Sequence, residues 1–358
     1  MTTMSAEDIR SRVYGAGPEN DNLYILSSAE FIKGFVPPDY LIVGILQRRF
    51  IYSFTGRTGS GKTAVGLLIA ALVAIGNGLG KHVVKKGRVL YLAGENPDDA
   101  RMRWLAMAEQ MGFDINTIEV WFRPGVFKIS ELSDRVAEEV TKIGGVSLVI
   151  VDTGPAFFEG NEENSNVQLG GHARRLREIL TTLPGGPAVL VNCHPTKNAD
   201  DDNLVPRGGG AFLAEVDGNL TCWKENETVE VHWQGKFRGP EFAPLSFRLR
   251  TLTCGALRDS EGRSIPTVVA SHLSESGLEE IAARNRHNED KLLTVIAANP
   301  GCSLAKLATL ARWITKDGAP YKMLAKRIVD SLERQKLVIN DKRDGIQITE
   351  KGRKCIKS

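Results

Sequence analysis

The chain has 358 residues, 42% hydrophobic and 25% charged, a balance that suits a folded chain with length enough for one large domain and a smaller module. Its net charge of +3 conceals a polarised sequence: residues 286–358 carry 16 Lys+Arg against 8 Asp+Glu, a net of +8, which leaves 30 against 35, or −5, before them. No uninterrupted run of ~18 apolar residues exists to span a membrane, residues 1–22 lack the apolar stretch of a secretory signal, and the five cysteines (Cys193, Cys222, Cys254, Cys302, Cys355) never form a Cys-x-x-Cys pair, which argues against a disulfide framework or a zinc finger and predicts a cytoplasmic protein with reduced thiols.

Residues 1–39 read as a segment that docks on the core or on a neighbouring subunit, with Leu23-Tyr24-Ile25-Leu26 and Phe31–Pro38 as its apolar parts. Four short apolar runs follow, each leading into a turn. Phe50–Phe54 leads into a glycine-rich turn and a helix over Ala64–Ile75 that closes at Gly76-Asn77-Gly78. Arg88–Ala93 leads through Gly94-Glu95-Asn96 to a second helix, with Asn96 as N-cap, Pro97 at its first position and Asp98 and Asp99 in its first turn, ending near Gly112. Ser147–Asp152 and Ala188–His194 are the third and fourth runs, with a helix over Gly170–Leu183 between them. Continuous apolar strands alternating with helices predict a parallel sheet buried on both faces.

After residue 220 the period becomes two. Val229, Val231 and Trp233 alternate with Glu230, His232 and Gln234, and Leu245, Phe247 and Leu249 with Ser246, Arg248 and Arg250, which predicts antiparallel strands at the sheet edge. The hairpin pattern continues through Thr251–His272, and the polar stretch 274–288 reads as a linker. The division is thus an N-terminal segment 1–39, a main domain 40–273, a linker 274–288 and a C-terminal domain 289–358. That last domain runs helix (Asp290–Ala298), helix (Ser303–Trp313), helix (Tyr321–Gln335) and two short strands around Leu337–Ile339 and Ile346–Ile348, the order of a small α+β winged helix-turn-helix.

Gly56-Arg57-Thr58-Gly59-Ser60-Gly61-Lys62-Thr63 is a complete G-x-x-x-x-G-K-[ST] between a predicted strand and a predicted helix. Its glycines let successive backbone N–H groups curl toward phosphate oxygens, and the helix N-terminus adds its positive dipole. Lys62 then reaches the β- and γ-phosphates, and the Thr63 hydroxyl is a Mg²⁺ ligand. Asp152, closing an apolar strand, can hold the metal's shell at the carboxyl edge of a parallel sheet. Glu95, one run earlier, suits either activation of the water that attacks the γ-phosphate or a charge at a helix entrance. Spacing alone leaves both open.

Taken together these residues resemble the RecA-like hexameric helicase family, of the plasmid RepA and bacterial DnaB kind, over roughly residues 40–249. The likeness rests on Tyr40-Leu41-Ile42, the P-loop, Gly87–Leu92 followed by Glu95, Leu148–Thr153, Glu162–Asn166, His194 with Lys197, Arg207–Ala211 and Lys236-Phe237-Arg238-Gly239-Pro240. It implies a RecA-like P-loop NTPase core with a central, mostly parallel sheet and antiparallel edge strands. It also implies Glu95 as the catalytic carboxylate, His194 as a γ-phosphate sensor, and Lys236 and Arg238 acting across a subunit boundary on a neighbour's ATP. Read from the residues alone, His194 also fits a core histidine, and Lys236 and Arg238 a solvated hairpin end.

In RecA-like translocases, loops equivalent to the one between Lys197 and Arg207 line a central pore. Here Lys197 and Arg207 at the flanks are the candidate nucleic-acid contacts, while Asp200-Asp201-Asp202 between them oppose contact with phosphate, as do Glu159, Glu162 and Glu163 in the second such loop, 154–166, which carries Phe157 and Phe158. The C-terminal module offers Lys322, Lys326, Arg327, Arg334, Lys342 and Arg343 for DNA, although such modules also bind or pack against protein. The expectation is an ATP- and Mg²⁺-dependent DNA motor, a ring homo-oligomer (a hexamer) acting on single-stranded or forked DNA alongside replication or repair proteins. The alternatives are a RecA/RadA-like recombination or repair ATPase and an ATP-switched winged-helix regulator.

Overall fold

The computed structural model describes residues 25–357 apart from 34, 163, 164, 198, 201, 202, 209, 316 and 342. The chain divides into two compact units, Met1–His272 and Leu273–Ser358. The first contains α1 (Ser28–Lys33), the hairpin β1 (Tyr40–Ile42) and β2 (Leu46–Gln47), then β3 (Ile51–Thr55), α2 (Lys62–Ile75), β4 (Val89–Ala93), α3 (Pro97–Met111), β5 (Val120–Pro124), α4 (Ile129–Lys142), β6 (Leu148–Asp152), α5 (Asn166–Leu180), β7 (Ala188–Cys193), α6 (Ala211–Glu215), β8 (Gly218–Glu225), β9 (Thr228–Phe237), β10 (Leu245–Arg258) and β11 (Ser264–His272).

A single nine-stranded sheet organises this unit, in the order β11-β10-β9-β8-β3-β7-β6-β4-β5. From β5 to β8 neighbours are parallel, and from β8 to β11 antiparallel. This is the α/β, RecA-like P-loop architecture expected from the sequence, with its antiparallel edge. Every residue of β3, β4, β6 and β7 is buried, because successive side chains enter two different cores. Leu148 and Ile150 face α2 and α3, whereas Val149 and Val151 face α4 and α5. Fully burying one such aliphatic side chain contributes about 1.5–3 kcal/mol before its entropy cost.

The antiparallel strands curl back over the first of these faces, where β10 and β11 pack on α2 and α3. That explains the composition of α2. Residues 64–74 are buried without exception, an all-round apolar helix suited to lying between two layers. Arg103 of α3 fastens the wrap by donating to the Val268 carbonyl of β11 at 2.7 Å.

Three elements escape the sequence pattern. Strand β5 is a half-buried edge strand ending in Pro124, tolerated there because an edge need not donate on both sides. Strand β8, parallel to β3 and antiparallel to β9, begins at Gly218, where a Cβ would lie 2.8 Å from the Phe237 ring and 2.9 Å from Tyr52, so a side chain there would have to displace an aromatic ring. The third is the stretch 274–288 read as a linker, and it is corrected: it is the first half of a 24-residue helix, α7 (Glu275–Ala298). Ser274 caps this helix by accepting from the Gly277 amide, and Ile281, Leu292 and Ile296 continue one buried stripe despite the polar composition between them.

The second unit continues with α8 (Leu304–Leu310), α9 (Lys322–Arg334), the antiparallel pair β12 (Val338–Asp341) and β13 (Gly345–Ile348), and α10 (Glu350–Lys357), a terminal helix absent from the sequence reading. Leu292, Leu293, Ile296, Leu307, Ile328, Leu332, Val338 and Ile346 form its core. In the first unit α1 buries nothing, and Ile25, Phe31, Ile32, Phe35 and Val36 are exposed. Residues 1–24 lie outside the described residues.

Candidate nucleotide site

Strand register decides which residues meet. Thr55 pairs with Cys193, Ala93 with Asp152, and Val151 with Val191, so the carboxyl ends of β3, β4, β6 and β7 stand level. Segments that leave that edge must converge, which is where ligands bind in open parallel sheets. The P-loop, Glu95, Asp152 and His194 are those segments.

The P-loop joins β3 directly to α2. Gly61 is the helix N-cap at φ 100°, left-handed backbone that glycine adopts without strain. A Cβ on Gly56 would lie 2.6 Å from Ser60 Oγ and 2.7 Å from the Cys222 carbonyl, leaving no room for a side chain. Lys62 is buried and its ammonium donates to the carbonyls of Gly56 at 2.6 Å and Arg57 at 3.1 Å, holding the loop around its own charge. Burial lowers its pKa from the usual lysine value, against opposing pulls from Cys222, Asp152, Cys193 and Glu95. Arg57 donates to the Ala199 carbonyl and lies 5.6 Å from the Trp223 ring, linking the P-loop to the loop after β7.

Asp152 is 6% exposed. Its two oxygens accept from Tyr91 on β4, at 2.6 Å, and from the Asn192 amide on β7, at 2.7 Å. The Asp152 carbonyl accepts from the amides of Gly94 and Glu95, which brings the exposed Glu95 to the same mouth. His194 is half-buried there, and burial followed by the Lys62 charge pushes its pKa down, while Glu95 and Asp152 oppose. An open cleft of about 320 Å³ unites Thr58, Gly59, Gly61, Lys62, Thr63, Glu95, Thr153 and His194 with Arg103, Lys224, Leu249 and Val268.

Thr63 and Asp152 are hard oxygen donors of the kind Mg²⁺ takes. No cluster of three or more His, Cys, Asp or Glu side chains able to hold a metal exists among the described residues. Mg²⁺ needs no such cage, since it keeps several waters and binds through one or two protein oxygens together with substrate phosphates. The residues present therefore fit that ion.

Lys236 and Arg238 are not in this cleft. Arg238 donates its backbone N–H to the Asp217 carbonyl, and Asp217 donates to Ile51, the first residue of β3. They stand at the foot of the strand whose other end carries the P-loop, roughly 15 Å away along β3. There Asp217, 1% exposed, accepts from the Ile51 amide at 3.0 Å and pairs with Arg177 at 2.9 Å and Arg238 at 3.0 Å. The Lys236 ammonium donates to the carbonyls of Ala214, at 2.6 Å, and Leu213.

Of the residues read as nucleic-acid contacts, Lys197 is exposed and Arg207 half-buried, with its amide bonded to the His194 carbonyl. Glu159 is not a loop charge facing outward: it accepts from the Ser130 amide and pairs with Arg175 at 3.2 Å. In the second unit Lys322, Lys326, Arg334 and Arg343 are exposed and Arg327 is half-buried. Lys342, Glu163, Asp201 and Asp202 lie outside the described residues.

Sequence reasoning missed Tyr91 and Asn192, although each is a polar side chain inside an otherwise apolar strand, and buried polar groups require partners. Arg103, Lys224, Leu249 and Val268 carried no local signal. Among the described residues no helix is long and apolar enough to cross a membrane. Residues 18–200, just over half of the chain, match the family model described as an AAA domain, a stretch that takes in the P-loop, Glu95, Asp152 and His194. No curated protein matches the chain.

Proposed function

The chain belongs to the AAA-domain family of P-loop ATPases, and we propose that it is an ATP- and Mg²⁺-dependent DNA motor of the ring-forming helicase kind, hydrolysing ATP at subunit boundaries. The observation that carries this reading is the division of charge between the two ends of β3. At one end Lys62, Thr63, Glu95 and His194 share a cleft, and the buried Asp152 adjoins it, its carbonyl accepting from the Glu95 amide. At the other, Arg238 is held on Asp217 with its side chain 61% exposed, out of reach of its own cleft and open to a second copy.

In this mechanism Lys62 and the P-loop amides bind the phosphates, and Thr63 and Asp152 would hold Mg²⁺, which would offset charge on the phosphate oxygens. Tyr91 and Asn192 fix the Asp152 carboxylate as hydrogen-bond donors. Glu95 orients the attacking water and takes its proton. His194 faces the terminal phosphate, and Arg238 of an adjacent copy offsets charge in the transition state. The basic second unit supplies the electrostatic hold on DNA, which the acidic loops of the first unit cannot.

Steady-state ATPase and forked-DNA unwinding test the proposal together. Glu95→Gln is expected to bind ATP and not turn it over, and mixing it with Arg238→Ala subunits should restore part of the activity. Parental turnover by Glu95→Gln would remove the catalytic assignment, and no recovery at any ratio of verified assemblies would remove action in trans. Open helical arrays on DNA under the electron microscope, without unwinding, would favour a recombination ATPase.

A further inference from the structure

A second, small cavity of about 30 Å³ lies behind the nucleotide cleft, lined by Gly154, Pro155 and Phe158 after β6, Leu169 and His172 on α5, and Cys193, His194, Pro206, Arg207 and Phe212. His194 lines both this cavity and the cleft. His172 is 3% exposed and stands edge-on to the Phe158 ring at 5.5 Å. Burial lowers its pKa to about 4, so the ring is neutral, with one nitrogen a donor and the other an acceptor. The Gly154 carbonyl lies near enough to favour protonation, yet among the described residues neither ring nitrogen has a partner at hydrogen-bonding geometry.

A void and an orphaned imidazole in one place are two costs with one complement. An unsatisfied buried polar group is destabilising, so one kept in a native structure calls for an explanation. We propose that His172 is the resting partner of the sensor histidine: without a terminal phosphate the His194 ring turns from the cleft into the cavity and hydrogen-bonds to His172, and a phosphate draws it back. One imidazole N–H donates to the unprotonated nitrogen of the other, so no net proton is taken up. The turn fills the void with ring atoms and satisfies His172. Because Gly154 and Phe158 begin one loop after the strands and Pro206 and Arg207 end the other, the position of the His194 ring alters the packing of both loops. His172 is thus a positioning residue that competes with nucleotide for His194, and this rests on the reading of His194 as phosphate sensor.

The test compares His172→Leu, which keeps the volume and removes the hydrogen bond, with His172→Gln, which keeps a donor and an acceptor, in the full chain. Removing the competing bond should tighten the Kd for a non-hydrolysable ATP analogue by roughly two- to ten-fold in His172→Leu, with His172→Gln close to the parent. In ¹³C-histidine NMR, the His194 signal, identified by its loss in His194→Gln, should move in nucleotide-free His172→Leu toward its analogue-bound position, and the bound position should not change. An unmoved nucleotide-free signal would overturn the proposal. So would equally weakened analogue binding in both variants with a lowered melting temperature, the mark of a purely structural role. Failure of the ATPase reading is separate and shows in the parent, as analogue binding that survives Lys62→Ala.

Discussion

The two ends of β3 treat buried charge in opposite ways. At the foot, Asp217 has its carboxylate divided between two arginines and a backbone amide. At the P-loop end, the charged and polar groups are held in place but left short of partners: Lys62 has only loop carbonyls, and Ser60 Oγ, Asn192 Oδ1 and both nitrogens of His172 are buried with no partner in the described structure. A fully satisfied network stabilises, whereas an incomplete one is ready for a ligand and weakens the fold until it arrives.

The sharpest way to break this contrast is at Lys62. Lys62→Ala should lower kcat by about 10²–10³-fold or more, the scale for losing one fixed group that stabilises phosphate charge, and should leave the denaturation midpoint unchanged or raised, since a buried cation without a carboxylate partner is removed. A large loss of stability instead would make the P-loop end as structural as the foot.

His172 probes the same end through pH. Its folded pKa of about 4 lies below the unfolded value near 6.5, so the unfolded chain binds the extra proton between those limits. The stability that a neutral His172 contributes is complete above pH ~6.5 and is lost as pH falls toward 4, up to about 3 kcal/mol. His172→Gln should flatten that part of the parent's stability profile in urea titrations. Superimposable profiles would count against a neutral, buried ring.

At the foot the effect should fall on folding. Asp217→Ala orphans the Ile51 amide while Arg177 and Arg238 can still reach water, which predicts a loss of about 2–3 kcal/mol in unfolding free energy. Nucleotide binding by the remaining folded fraction should be unaffected. The smallest expected change is Tyr91→Phe, which removes one hydrogen bond from Asp152 and should raise the Mg²⁺ concentration for half-maximal ATPase by about 10–100-fold, with little change in melting temperature. A shift in melting temperature without a shift in Mg²⁺ dependence would make Tyr91 a core residue only.

Local chemistry made much of this legible in the sequence. Glycine spacing, continuous apolar runs and helix caps act within a few residues, so the P-loop, the strand ending at Asp152, and the Asn96 cap accepting from the Asp99 amide are readable one after another. The linker reading of 274–288 fails for a related reason: a polar helix with a serine cap shows too few apolar residues to display its period. Tertiary structure alone decided which strands are neighbours and therefore which side chains meet. Strand order sets Tyr91 and Asn192 on either side of Asp152, the curl of β10 and β11 over α2 brings Leu249 and Val268 to the cleft, and the junction of β3 with β8 joins Asp217 to Ile51 across 166 residues. No local pattern encodes such meetings, because they are selected by burying two faces of one sheet at once.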